Sequence, residues 1–153
     1  MKLYVEWASD VPARKGRMVS LQALTTLLKL RNPGYSTLYM FNEEDANTIK
    51  MNNHSKGMNY LEVWSNFLVM DIDCGKEGLD QITPILDEAG HSYEVWLSGG
   101  KGYHIYIPHE MTHSIHLPYS HKLKAMELLG DKFKLIDSSL YQHGRLLSLP
   151  GRV

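Results

Sequence analysis

The chain has 153 residues, of which 43% are hydrophobic and 22% are charged, a balance typical of one globular domain. This composition excludes collagen-like, disordered and coiled-coil chains, and no apolar run reaches the ~18 residues that a membrane-spanning helix needs. A single cysteine, Cys74, excludes an internal disulfide framework and a Cys-based zinc site. The N-terminus shows no signal-peptide pattern, so we expect a cytoplasmic protein with no membrane partner.

The formal net charge of -1 hides an uneven distribution. Residues 1–31 carry six basic and two acidic side chains, residues 71–94 carry one basic and seven acidic, and residues 95–153 carry seven basic and four acidic. The net charge alone argues against a protein that lives on nucleic acid. An acidic block between two basic ones, however, suits a metal centre flanked by surfaces for phosphates.

Periodicity divides this single domain, residues 1–153, into an N-terminal α/β module (1–59) and a second module (60–153). The N-terminal module is predicted to contain strand 3–7, helix 20–30 with a Ser20 cap, strand 35–41 and a short helix that Asn42 caps. A polar loop over 52–59 follows.

The second module is predicted to follow the order β, α, β, β, α, β. Its elements are strands 61–64 and 67–72, paired or forming one bent ribbon, helix 79–89, strands 92–98 and 103–107, helix 120–133, and short strands 134–137 and 145–149. This order is typical of the split-βαβ, ferredoxin-like or RRM-like topology. We therefore expect an α+β fold in which the N-terminal module packs on an RRM-like module with an antiparallel sheet. The topology serves many functions and does not select one.

The first motif that carries chemistry is the run Leu68-Val-Met-Asp71-Ile-Asp73. Alternation in a strand places both carboxylates on one face and turns Ile72 into the core. Two like charges so close repel each other unless a cation lies between them, and oxygen ligands of this kind suit Mg²⁺ or Mn²⁺. A simple turn at Gly75 is the structural alternative.

The second motif is Ser98-Gly-Gly-Lys101-Gly-Tyr-His104, placed at a predicted hairpin turn. Its glycines allow a backbone to approach a ligand closely, and exposed amides with Lys101 form an anion site for phosphates. Ser98 and His104 flank the turn on the two strands. A hairpin needs such glycines for structural reasons as well.

The third motif begins at Asp137, after the predicted strand 134–137, and continues to Arg145 and Arg152. In the split-βαβ order this strand lies beside the one that carries Asp71 and Asp73, so three carboxylates are expected to meet. A guanidinium binds phosphate bidentately, which makes the two arginines candidates for phosphate contacts. An Asp before Ser-Ser is also a common turn or cap residue.

In this order, the three motifs resemble those of the archaeo-eukaryotic primase superfamily, particularly the small primase-polymerases of phages and plasmids. The family's hhhDhD matches 68–73, its SGxxGxH matches 98–104, and its late hD with an Arg-rich LPG stretch matches 136–137 and 145–151. The resemblance covers residues 60–152 well, and it departs at Ser148, where members often carry a second Arg.

The resemblance implies a DNA primase or polymerase that transfers nucleotides from (d)NTPs to a 3′-hydroxyl during replication. It implies that Asp71, Asp73 and Asp137 hold two divalent ions, Mg²⁺ or Mn²⁺. The triphosphate would be bound by Ser98, Gly99, Gly100, Lys101, Gly102, His104 and Arg145. The expected partners are nucleoside triphosphates, a DNA template and primer, and a replicative helicase or a C-terminal region beyond this chain. Candidates for the template and primer surface are Arg14, Lys15, Arg17, Lys29 and Arg31.

Three other interpretations compete with this one. The string His109-Glu-Met-Thr-His113 matches the HExxH zinc site of peptidases, but that site needs a helix, and Pro108, Thr112 and Ile115 disfavour one, so we expect a loop there. A non-catalytic RRM-like module would bind single strands through Tyr93, Trp96, Tyr103 and Tyr106.

A glycosyltransferase would use the DxD of Asp71 and Asp73 for a metal and a sugar nucleotide.

Overall fold

Two antiparallel sheets frame the protein, whose computed structural model describes residues 1–98 and 102–150. The first sheet contains, in spatial order, β2 (Arg17–Ser20), β1 (Tyr4–Ala8), β3 (Tyr35–Thr37) and β7 (Leu146–Ser148). The second contains β4 (Val63–Ile72), β6 (Tyr103–Ser114) and β5 (Glu94–Leu97). The α-helices are α1 (Leu21–Leu27), α2 (Glu43–Asn52), α3 (Lys76–Glu88) and α4 (Leu117–Leu129). The expected α+β class is confirmed.

The N-terminal module follows the sequence pattern closely at its helix caps. Ser20 accepts a hydrogen bond from the amide of Ala23 to begin α1, and Asn42 accepts one from the amide of Asp45 to begin α2. Strand β2, which pairs along the whole of β1 except its last residue, was not predicted. The predicted strand 35–41 is shorter, because only Tyr35–Thr37 pair as a strand and the chain beyond makes isolated bridges.

Strand β4 is the long central element of the second sheet and forms the single bent ribbon that its sequence allowed. It pairs with β6 over most of its length, with a register shift at Asn66: Ser65 faces Thr112, whereas Phe67 faces Pro108. Proline has no amide hydrogen for a ladder, and such an irregularity is where a strand tolerates it. Strand β6 therefore runs on through the stretch that was expected to be a loop.

One face of this sheet forms the main hydrophobic core. Met70 and Ile72 of β4 and Ile105 of β6 are fully buried, and they cluster with buried side chains of α3 and α4. Because side chains alternate along a strand, Asp71 and its cross-strand neighbour His104 lie on the other face. Burial of the hydrophobic face thereby fixes the direction in which the carboxylate and the imidazole point.

The predicted strand over 134–137 is wrong. Residues Gly130–Leu135 instead continue α4 as a 3₁₀ helix, from which Phe133 and Leu135 reach the main core. The segment that follows still runs along the free edge of β4: the Asp137 amide donates to the Asp71 carbonyl at 2.8 Å, and the Tyr141 hydroxyl donates to the Val69 carbonyl at 2.7 Å. The edge position that an RRM-like fold gives to its last strand is thus filled by irregular chain.

The last strand leaves the second module altogether. Strand β7 pairs antiparallel with β3, so residues 146–148 complete the N-terminal sheet. The chain between Asp137 and β7 consequently passes from one sheet to the other. Within the described ranges, no helix is both long enough and apolar enough to cross a membrane.

Candidate metal and phosphate site

Three carboxylates meet at the end of β4. Asp71 and Asp73 project from the strand end on either side of Ile72, which is fully buried, as the alternation predicts. Asp137 joins them through the backbone hydrogen bond to Asp71, and one carboxylate oxygen from each residue lies within 4.8 Å of the others. The structure therefore brings together all three aspartates that the sequence singled out, although the predicted strand 134–137 does not form.

The three acids have different electrostatic environments. Desolvation, with the negative charges of Asp71 and Asp137, raises the pKa of Asp73, and His104 opposes this in part. The pKa of Asp137 is lowered, chiefly because the Ser139 hydroxyl donates to its Oδ1 at 2.6 Å; the Ser139 amide and Arg145 act in the same direction. The charged form of Asp137 is therefore stabilised, whereas the charged form of Asp73 is destabilised by desolvation and by its acidic neighbours.

This donor set fits a divalent cation. All three groups offer carboxylate oxygens, the ligands that Mg²⁺ and Mn²⁺ prefer, and a cation among them would relieve the repulsion that raises the pKa of Asp73. The Asp137 side chain has two roles. It caps the short 3₁₀ helix Ser138–Leu140, and it completes the acidic cluster.

The described residues on either side of the β5–β6 turn lie against this cluster. Ser98 and His104 are both buried and line the same cleft as the three aspartates. A Cβ built on Gly102 would lie 2.4 Å from Ser98 Oγ and 3.0 Å from the Ile72 carbonyl oxygen, so any side chain here would force its neighbours to shift. The other predicted phosphate residues of the turn, Gly99, Gly100 and Lys101, lie outside the described residues.

His104 links the hairpin to the acids. Its Nε2 lies 3.3 Å from Asp71 Oδ1, while its buried Nδ1 has no hydrogen-bond partner within the described part of the chain. Few buried polar nitrogens in proteins lack a hydrogen-bond partner, and a functional role or a bound ion is one explanation for those that do. His104 therefore contacts the carboxylates through Nε2 and keeps Nδ1 without a partner among the described residues.

The N-terminal sheet also contributes to the cleft. The cleft measures about 210 Å³, and Tyr35 of β3 with Leu146, Leu147 and Ser148 of β7 line it together with the acids. Arg145, immediately before β7, has a half-exposed side chain whose Nη2 lies 3.9 Å from Asp137 Oδ2. Sequence reasoning found Arg145 but missed Tyr35, because nothing in the local pattern of residues 35–41 indicates which module they face.

The His109–His113 string does not form a zinc-peptidase site. It lies in β6 across the register shift, and its histidines have separate partners: His109 Nε2 is 3.0 Å from His121 Nε2, whereas His113 contacts Glu62 and stacks on Trp64. The peptidase site needs both histidines to bind one zinc ion from a helix, whereas here they lie in a strand and contact different side chains. The expectation of a loop is also wrong.

The aromatic residues of the RRM-like alternative are divided between faces. Trp96 and Tyr106 lie on the Asp71 face of the sheet, whereas Tyr103, opposite Leu97, lies on the other. Tyr93 precedes β5, and its hydroxyl donates to Asp87 at 2.7 Å. The four aromatic rings therefore do not form one continuous surface.

Two of the basic residues assigned to a template surface are engaged within the protein. Arg14 donates to both carboxylate oxygens of the fully buried Glu6 at 2.6 Å, and the Arg17 guanidinium lies 6.0 Å from the centre of the Trp7 ring. Lys15, Lys29 and Arg31 do not line the acidic cleft.

No protein-family model, curated protein or solved structure matches this chain. The function of the site has to be argued from its own geometry and from the resemblance of its three motifs.

Proposed function

We propose that this protein is a metal-dependent, template-directed nucleotidyltransferase, a DNA primase-polymerase that joins (d)NTPs to a 3′-hydroxyl. The observation that carries the proposal is the meeting of Asp71, Asp73 and Asp137 in one cleft with Ser98 and His104. An acidic cluster suits cations, and an adjoining hairpin with a hydroxyl and an imidazole suits phosphates. In this proposal the second module is RRM-like, with its last strand reduced to the irregular segment beside β4.

The three aspartates would hold two divalent ions, Mg²⁺ or Mn²⁺, which when bound lower the pKa of the attacking hydroxyl and neutralise charge on the triphosphate. Asp137, whose pKa is lowered, supplies a permanent anion to this set. Asp73, whose pKa is raised, is the carboxylate most sensitive to whether a cation is present. Asp71 contacts His104 and so couples the carboxylates to the phosphate side.

The phosphate groups would lie along the hairpin and the Arg145 wall. The Ser98 hydroxyl can donate to phosphate oxygens, and so can His104 Nδ1 when it carries a proton, since this nitrogen has no hydrogen-bond partner among the described residues. Arg145 contributes a guanidinium that can bind phosphate oxygens bidentately. Gly99, Gly100, Lys101 and Gly102 would surround the same triphosphate, as the resemblance implies. The chain orients the reacting groups and stabilises developing charge, which is most of what a phosphoryl-transfer enzyme has to do.

The site argues against the two alternatives. A module that only binds single strands gains nothing from three clustered carboxylates, which repel phosphates in the absence of cations. A glycosyltransferase that uses only the DxD pair would tolerate the loss of Asp137, whereas here Asp137 is bound to Asp71 through the backbone and shares its cleft.

The test is a primer-extension and unprimed-synthesis assay on a DNA template with Mg²⁺ or Mn²⁺. We expect wild-type protein to extend or prime and Asp71→Asn/Asp73→Asn to lose this activity. The matched control, Glu127→Gln/Asp131→Asn, removes two exposed carboxylates on and just after α4 and should behave as wild type. Equal activity in the two double variants, or sugar-nucleotide hydrolysis that survives Asp137→Asn, would overturn the proposal. We also propose that the protein acts in the cytoplasm on phage or plasmid DNA and that a replicative helicase is its partner.

A further inference from the structure

A second compartment adjoins the acidic cleft. It measures about 340 Å³ and shares Tyr35, Arg145 and Leu146 with the cleft as common lining residues. The rest of its wall comes from three loops, and its polar side chains are those of Arg14, Lys56, Asn59 and Gln142. The two spaces are therefore neighbours, one lined by three carboxylates and the other by basic side chains.

The basic compartment is built on a buried ion pair. Glu6 accepts hydrogen bonds from the Ser55 amide at 2.8 Å and the Ser55 hydroxyl at 2.6 Å, in addition to those from Arg14. Arg14 also donates to the Gly144 carbonyl at 2.7 Å, which ties the loop before Arg145 to the loop before Lys56. A Cβ on Gly144 would lie 2.4 Å from the Ser55 carbonyl oxygen, so the two loops are in direct backbone contact.

The charge of the compartment is positive. Glu6 neutralises Arg14, but Lys56 is exposed, Arg145 is half exposed, and no carboxylate is among the residues that line the space. Asn59 and Gln142 add amide groups that both donate and accept hydrogen bonds. Tyr35 adds an aromatic ring at the boundary with the acidic cleft. A cationic channel with a ring beside it is the composition that binds single-stranded nucleic acid with little sequence preference.

We propose that the basic compartment binds one nucleic-acid strand next to the reacting nucleotide, with Lys56 contacting a backbone phosphate and Tyr35 stacking on a base. This inference rests on the proposed function, and it replaces the surface of Arg14, Lys15, Arg17, Lys29 and Arg31 expected from sequence. Ser98 and His104 line the acidic cleft and not this compartment, so we assign the compartment to a strand rather than to the triphosphate.

The test is the affinity of a short, labelled single-stranded DNA for metal-free protein, measured by fluorescence anisotropy over a series of salt concentrations. Lys56→Gln should weaken binding about tenfold and reduce the slope of log affinity against log salt by ~0.7, the value for one single-strand phosphate contact. Lys50→Gln, which removes an equally exposed lysine from α2 outside the compartment, should change neither. Tyr35→Phe should retain affinity and Tyr35→Leu should lose it.

The results that overturn the inference are distinct from those that overturn the proposed function. Equal affinity of Lys56→Gln and Lys50→Gln, or no measurable binding by wild type, sinks the basic compartment as a strand site. Displacement of the DNA from wild type, but not from Lys56→Gln, by inorganic triphosphate would assign the space to the nucleotide and also sink it. If Lys56 governs strand affinity while the wild type transfers no nucleotide, the compartment stands and the proposed reaction fails. If the aspartate variants lose extension while Lys56→Gln binds DNA as Lys50→Gln does, the proposed reaction stands and the strand site fails.

Discussion

The main-chain amide of Asp137 donates a 2.8 Å hydrogen bond to the carbonyl oxygen of Asp71. Two carboxylates from distant parts of the sequence are thereby held together by their backbones rather than by their charges. Like charges at this separation repel, so the fold, not the side chains, brings the acidic cluster together. This arrangement leads to predictions about stability, pH dependence and metal response.

Replacing Asp73 by Asn should stabilise the metal-free protein. The raised pKa of Asp73 reflects desolvation and repulsion by Asp71 and Asp137, and the amide removes one of the three charges. Because the side chain is largely exposed, we expect a gain of only about 0.5 kcal/mol in the free energy of unfolding in chelator. Urea unfolding at neutral pH measures it.

Addition of millimolar Mg²⁺ or Mn²⁺ should reverse this order. Wild type should gain stability because the ion binds the folded state alone, whereas Asp73→Asn should gain less. Glu127→Gln, far from the cluster in sequence and exposed on α4, serves as the control and should respond to the ions as wild type does. An Asp73→Asn protein that responds fully to the ions would contradict the metal assignment.

Replacing Ser139 by Ala should raise the pKa of Asp137, since the Ser139 hydroxyl is the largest cause of its lowered value. A carboxyl whose pKa falls on folding stabilises the protein above its ordinary pKa of 3.8, and that stability is lost as the pH falls through the folded value. The variant should therefore be about 1 kcal/mol less stable at neutral pH, with a difference that shrinks in acid.

Carboxyl-carbon NMR titration and urea unfolding as a function of pH both report this effect, and the neighbouring Ser138→Ala is the control. Asp73 contributes with the opposite sign. Its pKa is raised, so its contribution favours the folded state at low pH and is lost as the pH rises through the folded value. If Ser139→Ala and Ser138→Ala titrate alike, the hydroxyl does not set the Asp137 charge.

Replacing Glu6 by Ala should lower the free energy of unfolding by about 3 kcal/mol, because it leaves the Arg14 guanidinium poorly solvated and without its anion. The double variant Glu6→Ala/Arg14→Ala should lose less than the sum of the two single variants. Urea unfolding of all four proteins measures the coupling. Additive losses would mean that the pair does not stabilise the fold as a unit.

Replacing Gly102 by Ala should disturb the hairpin, since the new methyl group meets Ser98 Oγ and the Ile72 carbonyl. We expect a loss of about 1–3 kcal/mol in stability, typical of overpacking, with a fall in nucleotide affinity. Gly90→Ala is a useful comparison. It has open space around its Cβ but a φ of +77°, so it should cost backbone strain of about 1–2 kcal/mol and leave nucleotide affinity unchanged. Calorimetric titration with a nucleoside triphosphate separates the two.

The sequence predicted the meeting of the three aspartates better than it predicted the sheets. Asp71 and Asp73 follow from alternation in an apolar strand, because burial of Ile72 leaves one geometry for its neighbours. Asp137 was placed correctly but by the wrong element, since the apolar residues before it reach the core equally well from a 3₁₀ helix. Local periodicity does not distinguish these two routes over four residues.

Long-range pairing was beyond local reasoning. Nothing in Leu146–Ser148 indicates that β7 joins β3, and hence nothing identified Tyr35 or Lys56 as neighbours of the site. The extension of β6 through His109–His113 was missed for a related reason. Its proline and β-branched residues disfavour a helix, but the choice between loop and strand depends on a partner, which β4 supplies through the register shift.

The pairing of β7 with β3 has a consequence for the order of assembly. Residues 146–148 line the same cleft as the aspartates, and they reach their place only by crossing from the second sheet to the first. During synthesis, the three carboxylates therefore emerge before β7, and the N-terminal sheet lacks this edge strand until residues 146–148 have been made. Contacts of such large sequence separation form slowly. The nascent protein should thus add β7 to the cleft after the three aspartates have been made, in a late step that couples both sheets.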